Sequence, residues 1–150
     1  MRIASFLLLL FVSTPSAWAL TYEFIGSKSE PLLRGEVEVS SASSVMELTL
    51  KLLEDAQLRK VLEFKATPIG LLAINADSGE GDESLELISD TQMKAYGWCF
   101  SLDGIVPKKL ANEVFLQAEH RTLRWFYAYA YYDREWKSWC VPYGSPYSSG

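Results

Sequence analysis

Two stretches in the last third of the chain alternate large apolar side chains with small or polar ones. In residues 96–102, Tyr96, Trp98, Phe100 and Leu102 fall on one face and Gly97, Cys99 and Ser101 on the other. That period of two predicts a strand with one buried face, and Asp103-Gly104 then predicts a hairpin-type turn. In residues 122–132, Leu123, Trp125, Tyr127, Tyr129 and Tyr131 share one face, with Arg124, Phe126, Ala128, Ala130 and Tyr132 opposite, which predicts a second strand. Nearer the start, 20–27 alternates around Tyr22, Phe24 and Gly26, and 34–41 sets Val37 and Val39 against Glu36 and Glu38. The turn residues and Pro31 between them predict a loop or an irregular edge over 27–33 rather than one long strand. One segment changes period. Ser44 followed three residues later by Glu47 forms a capping box, and Val45, Leu48, Leu52 and Ala56 recur at helical spacing. Leu50 and Leu53 widen the stripe, so a helix over 45–58 is expected to lie across a sheet. Residues 60–66 and 69–76 predict two short strands parted by Thr67-Pro68.

The first twenty residues follow none of these patterns. Arg2, the apolar run Ile3 to Val12 and the small-x-small triplet Ala17-Trp18-Ala19 make residues 1–19 a secretory signal peptide, cut before Leu20. Ser13 to Ser16 interrupt the run too early for a membrane anchor. The expected product is exported, periplasmic or extracellular, with no transmembrane anchor after cleavage. Of 150 residues, 131 remain after removal of 19, enough for one domain over 20–140 with a flexible tail at 141–150. Only Arg2 is a charged residue in the leader, so the net charge of −5 becomes −6. An acidic balance argues against nucleic acid as a partner.

Export also decides how the only two cysteines, Cys99 and Cys140, are read. An oxidising compartment makes a disulfide the default, and Cys99 has no neighbouring base to activate a thiolate. Alternation turns Cys99 away from Trp98 and Phe100, towards a tail that carries Trp136 and Trp139 beside Cys140. The tail is therefore expected to fold back and be pinned to the outer face.

Candidate chemistry is sparse. The acidic loop Asp77, Glu80, Asp82 and Glu83 lacks the ligand spacing of a calcium loop and reads as a solvated turn. His120, the sole histidine, stands between polar neighbours without a second metal ligand. No catalytic residue, metal ligand or cofactor is assigned. The aromatics are the stronger signal: 5 Trp, 8 Tyr and 7 Phe in the full chain. They either pack between helix, sheet and tail, or form a recognition surface around Tyr129, Tyr131, Trp136 and Trp139.

The order of elements, with Gly97-Trp98 leading to Phe100-Ser101-Leu102-Asp103-Gly104 and Leu123-Arg124-Trp125-Phe126-Tyr127 in the closing strand, resembles the transcobalamin-like C-terminal domain family. The resemblance runs from about Val37 to Tyr132. It implies an α+β fold, a β-grasp-like mixed sheet with one main helix packed across it. His120-Arg121 stands where that family has Gly-Asp, and the cysteine pair and Trp-rich tail are additions to its pattern. Family members that carry cobalamin do so with a large helical domain, for which 131 residues leave no room. Two functions are expected from this reading. One is a non-catalytic binding module that contacts an extracytoplasmic protein or envelope polymer through an aromatic sheet face or edge. The other, implied by the resemblance, is a small-ligand domain for cobalamin or a tetrapyrrole-like molecule, which needs a concave apolar pocket.

Overall fold

A computed structural model of the chain describes residues 16–28, 30–40 and 43–147. The expected leader lies outside the described residues up to Pro15. Its last members, Trp18 and Ala19, form the first rungs of strand β1 (Trp18–Ile25), opposite Val39 and Glu38 of β2 (Pro31–Val39). The segment expected over 27–33 as a loop or an irregular edge divides between the two, because β2 begins at Pro31. It is an edge strand, and a proline at its first position has no ladder N–H to lose.

Helix α1 (Val45–Leu58) has the limits that its capping box predicts. Glu47 N–H donates to Ser44 Oγ, and Ser44 N–H donates to the Glu47 carboxylate. The N–H groups of Val45 and Met46, which have no partner inside the helix, donate to Val114 and Ala111 carbonyls in a long loop. Two antiparallel strands, β3 (Phe64–Thr67) and β4 (Gly70–Ile74), follow, joined by the two-residue β5 (Asp77–Ser78) into a small sheet.

The main sheet continues through β6 (Leu85–Ser89), β7 (Gln92–Leu102), β8 (Thr122–Asp133) and β9 (Trp136–Pro142). Its order is β2-β1-β8-β7-β6, with β9 also paired to β8. The first half of β8 runs parallel to β1, its second half antiparallel to β9, and its other edge antiparallel to β7 throughout. The fold is thus mixed α+β, mostly sheet, with one α-helix among the described residues.

Alternation along these strands sorts the side chains into an inner and an outer face. On the inner face Leu20, Phe24, Phe100, Leu102, Leu123 and Trp125 pack with Val45, Met46, Leu53 and Ala56 of α1 into one core. The Trp125 indole N–H donates to Thr49 Oγ1 at 2.8 Å, and Thr49 returns a bond to its own helix at Val45 O. Gly35 faces Tyr22, whose hydroxyl would stand 2.7 Å from any added Cβ. Beyond the helix the small sheet takes over the cover. Trp98 Nε1–H donates to Asp77 O, and the Tyr127 hydroxyl donates to Ser78 O.

The hairpin-type turn forms, with Asp103 at φ 50° and Gly104 at φ 80°, the left-handed pair that such a turn requires. No long partner strand follows it, and Ile105 makes only an isolated bridge back to Leu102. The tail, expected to be flexible from 141, starts instead as ordered strand: Val141 and Pro142 complete β9, opposite Tyr129 and Ala128. Residues 148–150 lie outside the described residues.

Candidate functional site

The outer face is where small residues gather. Ala95, Gly97 and Cys99 of β7 lie beside Ala128 and Ala130 of β8, and with no large side chains they leave a shallow floor. Strand β9 does not lie flat against β8. Its register slips between the Tyr129–Val141 and Tyr131–Ser138 pairs, leaving Trp139 and Cys140 opposite the single residue Ala130. Cys140 occupies the left-handed region at φ 54°, within the irregular stretch where the bulged strand bends. The bulge carries Cys140 over β8 to Cys99, and the two form a disulfide with their Cα atoms 5.8 Å apart.

Two tryptophans border the floor beside this staple. The rings of Trp136 and Trp139 lie 4.9 Å apart at 31°, and Tyr132 meets Trp136 edge-on at 5.3 Å. Trp136 remains 42% exposed and Trp139 66%, although rings of that size normally find cover. Together with Ala95, Gly97, Ala128 and Ala130 they line a groove of about 360 Å³. Such a groove can accept a flat or extended group against its rings, and it carries no acid, base or nucleophile.

Of the residues expected to share one recognition surface, Trp136, Trp139 and Tyr129 all line this groove, but only the two tryptophans meet ring to ring. Tyr129 and Tyr131 point through the sheet to the inner side. Tyr129 is buried, donates its hydroxyl to Ser145 O, and packs against Tyr96. Tyr131 faces Tyr147 at 4.4 Å. The segment after β9 therefore crosses to the inner side, where Tyr143 packs on both Tyr96 and Tyr127. Burial holds the phenols of Tyr96, Tyr127 and Tyr129 above the ordinary value of 10.0. For Tyr96, the Glu86 carboxylate that accepts its hydrogen bond adds to the effect. The small residues of the groove floor were missed in the sequence. Their signal is the alternation of Ala128 and Ala130 with tyrosines, and of Gly97 with Tyr96 and Trp98.

A second concavity of about 410 Å³, mostly apolar, opens at the edge of β7. Its walls are the β3–β4 turn on one side, with Ile69 to Leu72, and the loop from Val106 to Ala111 on the other; Trp98, Phe100 and Trp125 form its base.

The remaining candidates have structural occupations. Asp77 Oδ2 accepts the Ser27 N–H, and Glu80 pairs with Lys65. His120 Nδ1 accepts the Gln117 N–H, which makes the ring the clasp of a turn. Among the described residues no three His, Cys, Asp or Glu side chains gather as a metal set, and no helix is long and apolar enough to cross a membrane. No protein-family model matches the chain, and no curated protein matches it.

Proposed function

We propose that this protein is an exported, non-catalytic binding module of β-grasp-like fold that holds an extracytoplasmic protein or envelope polymer in the Trp136–Trp139 groove. The observation that carries this reading is the exposed pair of tryptophans in mutual ring contact over a floor of small residues, beside the Cys99–Cys140 bridge. Rings fixed in advance lose little freedom on binding, so their contact area is converted into affinity with small entropic loss. The fold assignment is supported by the topology: a β1–β2 hairpin, a helical crossover, and a parallel β1–β8 pair flanked by antiparallel β7. That order also favours the resemblance to the transcobalamin-like C-terminal domain.

The test is sedimentation of the mature protein with isolated cell-wall polysaccharide and, separately, with solubilised envelope protein. Replacing Trp136 and Trp139 together by alanine should weaken retention by about tenfold or more, in the range of an interface hot spot. Melting temperature should barely move. Unchanged retention on both materials removes the groove as the working surface.

The apolar cavity at the β7 edge favours a second reading, a small-ligand domain of the cobalamin or tetrapyrrole-like kind. A cavity of about 410 Å³ would cap part of such a ring system rather than enclose it. Absorbance titration with cyanocobalamin decides between the two, since a shifted corrin spectrum would select the ligand reading.

A further inference from the structure

The cavity at the β7 edge contains a feature that a small-molecule pocket does not need. Tyr127 O accepts the Tyr143 N–H on the β9 side of β8, whereas Thr122 O accepts the Asp103 N–H on the β7 side. Successive backbone groups in a strand point to opposite edges, so even-numbered residues of β8 bond to β7 and odd-numbered ones face away. Register then fixes β7: Gly97, Cys99 and Ser101 oppose Ala128, Phe126 and Arg124 and bond across, while Trp98, Phe100 and Leu102 turn their N–H and C=O outward. Leu102 is satisfied by its two reciprocal bonds with Ile105. At the other end Gly79 packs over Gly97 Cα and Tyr96 O, so closely that an added Cβ would stand 3.1 Å and 3.3 Å from them. Between these closures lies a window. Trp98 and Phe100 face it with backbone groups that have no backbone partner among the described residues, and both residues line the cavity.

The surroundings specify the occupant further. Ile69, Val106 and Leu110 stand close to half exposed at the cavity walls. Lys109 lines it, and neither it nor Lys108 has a carboxylate within ion-pair distance among the described residues. The nearby Glu113 carboxylate is turned to the Leu110 N–H. In a chain of net charge −5, unpaired lysines beside an apolar slot form a local positive rim.

We propose that this window is a strand-docking site: an extended peptide of a partner protein adds to β7 at Trp98 and Phe100, seats one large apolar side chain in the cavity, and sets a flanking carboxylate against Lys109. Main-chain bonds supply affinity and the pocket supplies specificity in such β-strand addition. The cavity adjoins the Trp136–Trp139 groove, sharing Trp98, Cys99 and Cys140 with it, but the docking contact uses neither tryptophan ring of that pair.

The experiment follows backbone amide resonances of the isotope-labelled mature protein during titration with a short synthetic peptide, valine and glutamate alternating about one central phenylalanine. The Trp98 and Phe100 amides should shift. Methylating the peptide nitrogens that face β7 should weaken binding by about tenfold, and Lys109→Glu should weaken it several-fold through loss of the complementary charge. Trp136→Ala should leave it unchanged. Equal binding of the methylated peptide overturns strand addition. So does a shift of the same amides by decanoate but not by peptide, which would make the cavity a site for amphiphiles. Concentration-dependent shifts in the protein alone would assign the edge to a second copy instead.

Discussion

Thr49 and Asp103 show how single side chains bind distant elements together. Thr49 is wholly buried in α1, where a threonine adds little to helix propensity. Its hydroxyl satisfies the only polar atom on the Trp125 side chain, which is itself 1% exposed in the middle of the sheet. Thr49→Val keeps the shape and deletes the acceptor, so chemical denaturation should show a loss of about 1–3 kcal/mol. Thr49→Ser should restore most of it. Asp103 works at the surface, where one carboxylate oxygen accepts the N–H groups of Arg121 and Thr122 and the Thr122 hydroxyl. The Arg121 bond leads the causes that hold its carboxyl below the ordinary value of 3.8. A carboxyl depressed on folding stabilises fully above its unfolded value, and the gain fades as pH falls through the folded one. Asp103→Asn should therefore flatten the acid limb of a stability profile below about pH 4, while leaving neutral stability within about 1 kcal/mol because the group is exposed. An unchanged acid limb would mean that the oxygen is not holding the turn.

Elements were legible where burial and capping speak with one voice. Ser44 and Glu47 name the start of α1 and its apolar stripe names its length, so Ser44→Ala should cost about 1 kcal/mol in melting or denaturant experiments. The alternation of 96–102 and 122–132 identified β7 and β8 for the same reason: their large side chains gather on one core-facing side, even though Phe126, Ala128 and Ala130 on the opposite face of β8 are buried too. Strand β6 gave no such signal, since all five of its residues are exposed and an unburied edge strand has no pattern to show. β9 was missed as a strand because Trp136, Trp139 and Cys140 do not alternate. The bulge that breaks their period is what brings Cys140 to Cys99, so the pairing was readable from compartment and count while the strand was not. The bridge joins residues 41 apart and on loop entropy contributes about 3–4 kcal/mol. Replacing both cysteines by alanine should lower stability by that amount, and amide exchange should rise first in β9 and the groove. Protection lost evenly over the whole sheet would show the bridge to be a global staple only.

At the scale of the whole molecule, one sheet separates two aromatic populations that a linear reading merges. Tyr129 and Trp139 look equivalent in sequence, but strand parity sends the ring of the first inward and the bulge carries the second outward, so both line the groove while only the tryptophan offers it an exposed ring. The inward population is also the molecule's alkaline weak point. Tyr96, Tyr127 and Tyr129 are held above 10.0 chiefly by burial, and Tyr143 closes over two of them. A phenol raised on folding stabilises fully below its unfolded value of about 10, and that contribution is lost as pH climbs from there through the folded values. Ionisation of Tyr96, Tyr127 and Tyr129, followed by phenolate absorbance, should accordingly be delayed above the ordinary value and come together with loss of the fold. Tyr96→Phe removes one late proton and the Glu86 bond together. The variant should be weaker at neutral pH yet lose stability less steeply under alkali, because fewer buried phenols remain to ionise on unfolding. If Tyr96, Tyr127 and Tyr129 ionise at the ordinary value while the circular dichroism stays native, the inner cluster is open to water and residues 143–147 do not pack against it.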